Sequence, residues 1–319
     1  MKVVIAGGSG QVGAVVVRWC DGRGDDVVVL SRDPRTVRSA RAVAWDARTL
    51  GPWRDELDGA DVLLNLAGRS VNCRYTPQNR DAILRSRVDS TRVLGEAIAA
   101  AARPPRLWLQ SSTATIYSHR YDAPNDEATG ILGGDEPGVP DTWRFSIDVA
   151  RAWERAADEG ARAGTRLVKL RSAMIMSPDR GGIFDTLLGL VRLGLGGQSG
   201  DGRQYLSWIH EDDFAGAIGW IIAHEHLVGC INVAAPNPLP NAAFMRALRE
   251  AWGTRIGLPA TEWMLELGAI AMGTETELVL KSRRVIPGIL LADGFRFTHP
   301  EWGGAARELC GRWRGRSIQ

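Results

Sequence analysis

Hydroxyls crowd the stretch Ser111-Ser112-Thr113-Ala114-Thr115-Ile116-Tyr117, directly after the apolar run Leu107 to Gln110. A phenol and a threonine at a strand end can hold a carbonyl oxygen and protonate it, because a neutral phenol donates to a developing alkoxide without prior ionisation. Tyr117 is the candidate proton donor, Thr113 the hydrogen-bond donor to the carbonyl oxygen, and Ser112 stands beside them. The bland alternative packs Tyr117 beneath a ligand, with its hydroxyl on water or backbone. His210, in the run WIHEDD, could relay protons with Asp212 or Asp213 orienting it, since imidazole titrates near neutrality. The same residues equally fit a structural motif that caps the helix from Asp213 and ties a second lobe to a sheet. Lys169, mid-strand, points to a pocket or snorkels.

A second cluster suits phosphate. In VVIAGGSGQVG the glycines Gly7, Gly8, Gly10 and Gly13, with Ser9, Gln11 and Val12 between them, follow a β-branched run and open a helical pattern. Glycine there permits a tight turn, close backbone approach to a pyrophosphate, and tight packing of helix on strand, while the helix N-terminus offers unpaired N–H groups. The spacing predicts dinucleotide binding. An NAD enzyme would place a carboxylate after the second strand, but this chain has Ser31-Arg32, whose hydroxyl and guanidinium fit a ribose 2′-phosphate. NADP(H) is therefore the expected cofactor, the alternative being a solvated Arg32 with Asp33 on the ribose. Asp46, after the third strand, can accept from an adenine amino group or serve a turn. Asn65, Leu66, Ala67 and Gly68 end the fourth strand, and Ser111 the fifth, facing the same pocket.

These groups need a scaffold. Short β-branched runs at Val3–Ala6, Val27–Leu30, Ala42–Trp45, Val62–Leu66 and Leu107–Gln110 alternate with helical patterns, which implies parallel strands joined by right-handed crossovers. Ile83, Leu84, Val88, Leu94, Ile98 and Ala101 step at helical spacing and stop at Pro104-Pro105. Residues 118–141 read as a long loop. A helix near Thr142–Gly160, a strand Leu167–Met174 and a strand near Cys230–Val233 follow, and from Leu239 the pattern is mainly helical. The expected fold is α/β: a Rossmann doubly wound parallel sheet with helices on both faces and a smaller, mainly helical C-terminal substrate lobe. Residues 1–172, with strands from about 205–235, form the NADP-binding part; 173–204 and 236–319 form the lobe.

Composition narrows the classes. The 319 residues carry 39 Lys plus Arg against 37 Asp plus Glu, so no nucleic-acid or membrane partner is expected, and the partner is a small-molecule substrate. A homodimer is left open. Cys20, Cys73, Cys230 and Cys310 are far apart and form no zinc-spaced set, so no metal is expected. The N-terminal apolar run is too short for a signal peptide, which points to the cytoplasm.

With GGSGQVG, NLAG, ILRSRVDSTRVLGEAI, SSTATIY, LGLGGQSGDGRQYLSWIHEDD and INVAAPNPLPNAAF in this order, the chain resembles the extended short-chain dehydrogenase/reductase superfamily. It is closer to that superfamily's atypical group of NAD(P)-dependent epimerase-like proteins. ELVLKSRRVIPGILLADGFRF resembles the small C-terminal domain that accompanies the group. The resemblance implies that Thr113 takes the place of the catalytic serine. It also puts Ser146 at the usual tyrosine position and Ala150 at the lysine position, if Glu154 aligns with the glutamate that follows the pair. Without a lysine, deprotonating a tyrosine at pH 7 costs roughly 4 kcal/mol, so reduction is the easier direction. The expected function is an NADP-dependent oxidoreductase that moves hydride between ketone and alcohol on a small polar metabolite. A sugar-type epimerase or dehydratase and a non-catalytic NADP-binding sensor or assembly protein are the alternatives.

Overall fold

The computed structural model describes residues 1–261, 264, 275 and 277–316; the remainder of the stretch expected to be helical after Leu239 lies outside the described residues. Along the chain come β1 (Lys2–Ala6), α1 (Gln11–Asp21), β2 (Asp26–Ser31), β3 (Arg41–Ala44), β4 (Val62–Asn65), α2 (Pro77–Ala100), β5 (Leu107–Thr113), α3 (Asp141–Gly160) and β6 (Arg166–Ser172). They continue with β7 (Met174–Met176), α4 (Ile183–Arg192), β8 (Tyr205–Leu206), β9 (Trp208–His210), α5 (Glu211–Ala223), β10 (Gly229–Val233), β11 (Leu239–Pro240) and α6 (Asn241–Trp252). A helix at Trp302–Arg316 follows.

Seven parallel strands form the main sheet in the order β10-β6-β5-β4-β1-β2-β3. The strand order reverses between β1 and β4, and a crevice opens outside their carboxyl ends, where such sheets bind ligands. Both faces are apolar because helices cover both. Val3, Ile5, Val29, Leu64 and Leu109 pack with α1 and α5 residues on one side, and Val4, Val28, Leu63 and Trp108 pack with Val93, Ile98 and Ala157 on the other. α2 and α3 approach so closely that a β-carbon on Gly95 would lie 2.7 Å from Gly160 Cα. Phe184, Trp208, Phe244, Trp302 and Leu309 build a third apolar cluster from α4, β9, α6 and the last helix.

Two strand boundaries differ from expectation. The predicted strand Leu167–Met174 breaks at Ala173: β6 stays in the sheet, while β7 pairs with β9. Trp45 leaves the third strand to meet Trp53 edge-on at 5.5 Å, since an indole buries more surface against a ring than at a sheet edge. Among the described residues no helix is long and apolar enough to cross a membrane.

Candidate functional site

The glycine loop between β1 and α1 forms one wall of a cavity at the reversal point. Gly7, Ser9 and Gly10 line it with Leu30, Ser31 and Arg32 from β2, Asp46, Ala47 and Arg48 after β3, and Leu66, Ala67, Gly68 and Arg69 after β4. Gly7 adopts a left-handed φ of 76°, and a β-carbon there would sit 2.8 Å from the Ala67 backbone, so the two strand ends touch. A β-carbon on Gly13 would lie 2.4 Å from Gly8 backbone atoms, which makes Gly8 and Gly13 packing glycines. Gly10 differs. Its β-carbon would meet only Gly7 O, at 3.6 Å, and otherwise open space. Gln11 begins α1 with its side-chain Nε2 buried and without a hydrogen-bond partner, while Val12 packs on the core.

Electrostatics favour an anion at the rim. Arg32, Arg48 and Arg69 share the cavity wall. The Asp33 carboxylate, which would grip a bare ribose, instead accepts from Arg35 Nε at 2.8 Å and Nη2 at 3.1 Å. Ser31 Oγ donates to Asp33 O at 3.0 Å and fixes that turn. Asp46 accepts from the Arg48 and Thr49 amides and from Thr49 Oγ1, and these bonds hold its pKa down at about 2. Its carboxylate thus organises a turn at the rim, the second of the two roles expected for it.

Asn65 is not on the wall. Fully buried, it donates to Thr91 Oγ1 and Gln110 Oε1 and accepts from the Ala67 amide at 3.0 Å, so it holds the lining loop from behind. Ser111 also lies off the cavity, half-buried on β5.

A second, smaller cavity lies between β5, α2 and α3. Thr113 and Thr115 line it with Phe145, Ser146, Val149, Ala150 and Trp153 of α3, Tyr75, Ile83 and Arg87, and Glu277 and Arg283 from the C-terminal segment. Ser146 and Ala150, at the superfamily's tyrosine and lysine positions, therefore do face a pocket. Ser146 Oγ donates to Glu277 Oε2 at 2.5 Å, and Tyr75 Oη lies 3.4 Å from Ser146 Oγ. Arg87 links the two cavities: its guanidinium stacks over Trp153 at 5.1 Å and its Cζ would be 3.3 Å from a Gly68 β-carbon. Burial lowers its pKa to about 10. Tyr75, Arg87, Glu277 and Arg283 were missed in the sequence. The motifs ILRSRVDST and ELVLKSRR contain all but Tyr75, but nothing in their spacing brings segments nearly 200 residues apart into one pocket.

Three nominated catalytic residues are corrected. Tyr117 is 2% exposed, donates to Asn232 Oδ1 at 2.9 Å and accepts from Arg171 Nη1 at 3.0 Å. The 3₁₀ turn Ala114–Ile116 carries it off the strand and into a core cluster with Ile116, Ala150 and Val285. Burial raises its pKa despite Arg171, and its hydroxyl is engaged on both sides in the core. Ser112 Oγ donates to Glu154 Oε1 at 2.6 Å and is equally enclosed. His210 caps α5 by accepting from the Asp212 amide at Nδ1 and donates from Nε2 to Glu308 at 2.9 Å. Its structural role is the observed one, with α5 starting at Glu211. Lys169 Nζ is held by both oxygens of Asp158. Only Thr113 remains at a cavity, its Oγ1 accepting from the Thr115 amide at 3.1 Å.

Tyr117→Phe is accordingly expected to leave the cofactor affinity unchanged and to cost about 1–3 kcal/mol of stability, because Asn232 Oδ1 and Arg171 Nη1 lose a buried partner. Denaturant unfolding and dinucleotide titration of the same variant check both halves.

Over 97% of this chain, the epimerase family protein SDR39U1 of Homo sapiens is 30% identical, covering 99% of that protein, and YfhF of Bacillus subtilis is 29% identical, covering 98%. The crystal structure of human SDR39U1 with NADPH superposes with a TM-score of 0.83 at 29% identity, covering 98% of this chain and 99% of that one. The UDP-glucose 4-epimerase of Thermus thermophilus, at 17% identity and a TM-score of 0.73, shares the fold. Residues 260–309 match a domain of unknown function, DUF1731. Residues 3–234 match the NAD dependent epimerase/dehydratase family, to which this atypical short-chain dehydrogenase/reductase belongs.

Proposed function

We propose that the chain is an NADP(H)-dependent oxidoreductase that interconverts a carbonyl and an alcohol on a small polar molecule held in the smaller cavity. The observation that carries this reading is the junction of the two cavities at Gly68 and Arg87. A dinucleotide laid along the larger cavity would direct its reactive end toward Thr113 and Ser146. The residues fit that group: the space above Gly10 is what a β-carbon would fill, the first turn of α1 offers its amides, and the arginine rim matches an additional phosphate. Human SDR39U1 with bound NADPH supports the phosphorylated form.

When bound, the nicotinamide supplies or accepts the hydride. The protein's own residues do the rest. Arg32 and Ser31 hold the 2′-phosphate, and the loop Leu66–Gly68, fixed by Asn65, closes over the other face. Thr113 stands beside the substrate space, Ser146 holds the Glu277 carboxyl there, and Phe145, Val149 and Trp153 exclude water from it.

Arg32→Ala is expected to weaken NADPH binding by at least tenfold, the worth of a charge-assisted bond of about 1.5–3 kcal/mol, while NADH binding barely changes. Isothermal titration with both dinucleotides measures this. Tighter binding of NADH by the wild type sinks the NADP assignment. Oxidation of NADPH in the presence of small aldehydes and ketones, followed by absorbance, tests the activity; binding without turnover on any of them favours a sensor.

A further inference from the structure

The smaller cavity contains a buried acid, Glu277. Glu277 is 1% exposed, and its two oxygens differ. Oε2 accepts from Ser146 Oγ, whereas Oε1 is buried without a hydrogen-bond partner among the described residues. The Arg283 Nη2 nitrogen nearest to Oε1 stands 3.7 Å away. A buried, unsatisfied carboxylate oxygen is costly, and a native site tolerates one where a proton or a ligand completes it. With Oε2 already accepting, a proton on this carboxyl belongs on Oε1, from which it donates into the cavity.

Resting on the oxidoreductase reading, we propose that Glu277 is the catalytic acid of this site, carried in from the C-terminal segment to fill the vacancy left by Ser146 and Ala150. As the carbonyl carbon takes hydride from the reduced dinucleotide, its π electrons move to oxygen, and that oxygen forms a bond to the Oε1 proton. The electrons of the broken O–H bond stay on the Glu277 carboxylate. The alcohol and the oxidised dinucleotide leave, and a solvent proton restores the acid. Ser146 orients the carboxyl through Oε2, and Arg283, held by Thr115 Oγ1 at 3.1 Å, stabilises the transient carboxylate.

The surroundings shift the balance toward the protonated carboxyl. Burial pushes the Glu277 pKa up, and the Arg283 charge, the Ser146 hydroxyl, the Lys281 charge and the nearby Tyr75 hydroxyl pull it back only in part. The groups facing it are Tyr75 ahead of α2, pushed up to about 12 and so neutral; Arg87 on α2; Ser146 on α3; and Arg283 and Lys281 on its own segment. Lys281 donates to Thr115 O at 2.7 Å, and burial lowers its pKa to about 8. No second carboxylate lines the cavity among the described residues.

The test begins without turnover. Infrared difference spectra of the full unliganded chain, wild type minus Glu277→Gln, are expected to contain the carbonyl stretch of a protonated carboxyl at pH 7 that fades at alkaline pH. Its absence at pH 7 overturns the proposal. Ser146→Ala removes a bond that favours the carboxylate, so the fading should move to higher pH; an unmoved midpoint counts against the coupling and overturns it too. Where the wild type reduces one of the small carbonyl compounds, Glu277→Gln should slow turnover about 100-fold or more, with NADPH affinity kept and the alkaline fall of the rate lost. Wild-type rates and an unchanged pH profile in a folded Glu277→Gln protein sink the catalytic role alone. A wild type that reduces none of them sinks the oxidoreductase reading, and the acid's catalytic role with it, even if the infrared band is present.

Discussion

Gly10→Val should yield a folded protein that no longer binds NADPH at concentrations that saturate the wild type. Gly10 is the N-cap of α1, with φ −79° and ψ 171°, an extended conformation that valine adopts readily. Its amide donates to Gly7 O and its carbonyl accepts from the Ala14 amide, and neither bond involves a side chain. The added side chain enters only the open space over the loop, where the pyrophosphate must approach the backbone. A loss of at least roughly 100-fold, about 2.7 kcal/mol, is expected by titration, with the unfolding midpoint near wild type. Gly13→Ala is the instructive contrast. There the new β-carbon falls 2.4 Å from Gly8 backbone, so the variant should fail to fold rather than fail to bind. Retained NADPH binding in Gly10→Val would place the dinucleotide elsewhere.

Glu154→Ala, at the seam between α3 and β6, should be among the most destabilising substitutions in the chain. The Glu154 carboxylate accepts from Arg171 Nε and Nη2, each at 2.8 Å, and from Ser112 Oγ, and both charged side chains are about 10% exposed. Removing it leaves the Arg171 charge buried without its counter-ion, at a cost of about 3–5 kcal/mol. Burial pushes the Glu154 pKa up, but the Arg171 hydrogen bonds and charge outweigh it, and the net shift is downward. A carboxyl whose folded pKa is depressed contributes stability above its unfolded pKa and loses it as pH falls through the folded one. The gap between wild type and variant should therefore be full at neutral pH and shrink in acid. Urea unfolding across that range measures it; a gap that is constant down to the lowest pH would mean the ion pair is not its source.

The alternation of β-branched runs and helical patterns in the first 110 residues was enough to specify parallel strands, helices on both faces, and the glycine loop over a helix N-terminus. Such features depend on residues near one another in sequence: a period of two, a period near 3.6, and a turn that only glycine permits. The same locality made Ser31-Arg32 readable as an anion rim. Ser146 and Ala150, singled out through the family resemblance, lie one helical turn apart on α3 and line one cavity. The hydroxyl run at Ser111–Tyr117 misled for the opposite reason. Whether Tyr117 meets a ligand or the core depends on a single 3₁₀ turn after Thr113 and on Arg171 and Asn232 arriving from β6 and β10. Asn65 likewise reads as a wall residue until Thr91 and Gln110 close around it. Glu277 is the extreme case: its partners Ser146 and Arg283, and the cavity it faces, exist only once the C-terminal segment folds back against α3. Local pattern specified backbone and cofactor loop, whereas the environment of each buried polar group is a sum over distant segments, and only the tertiary structure brings that sum together.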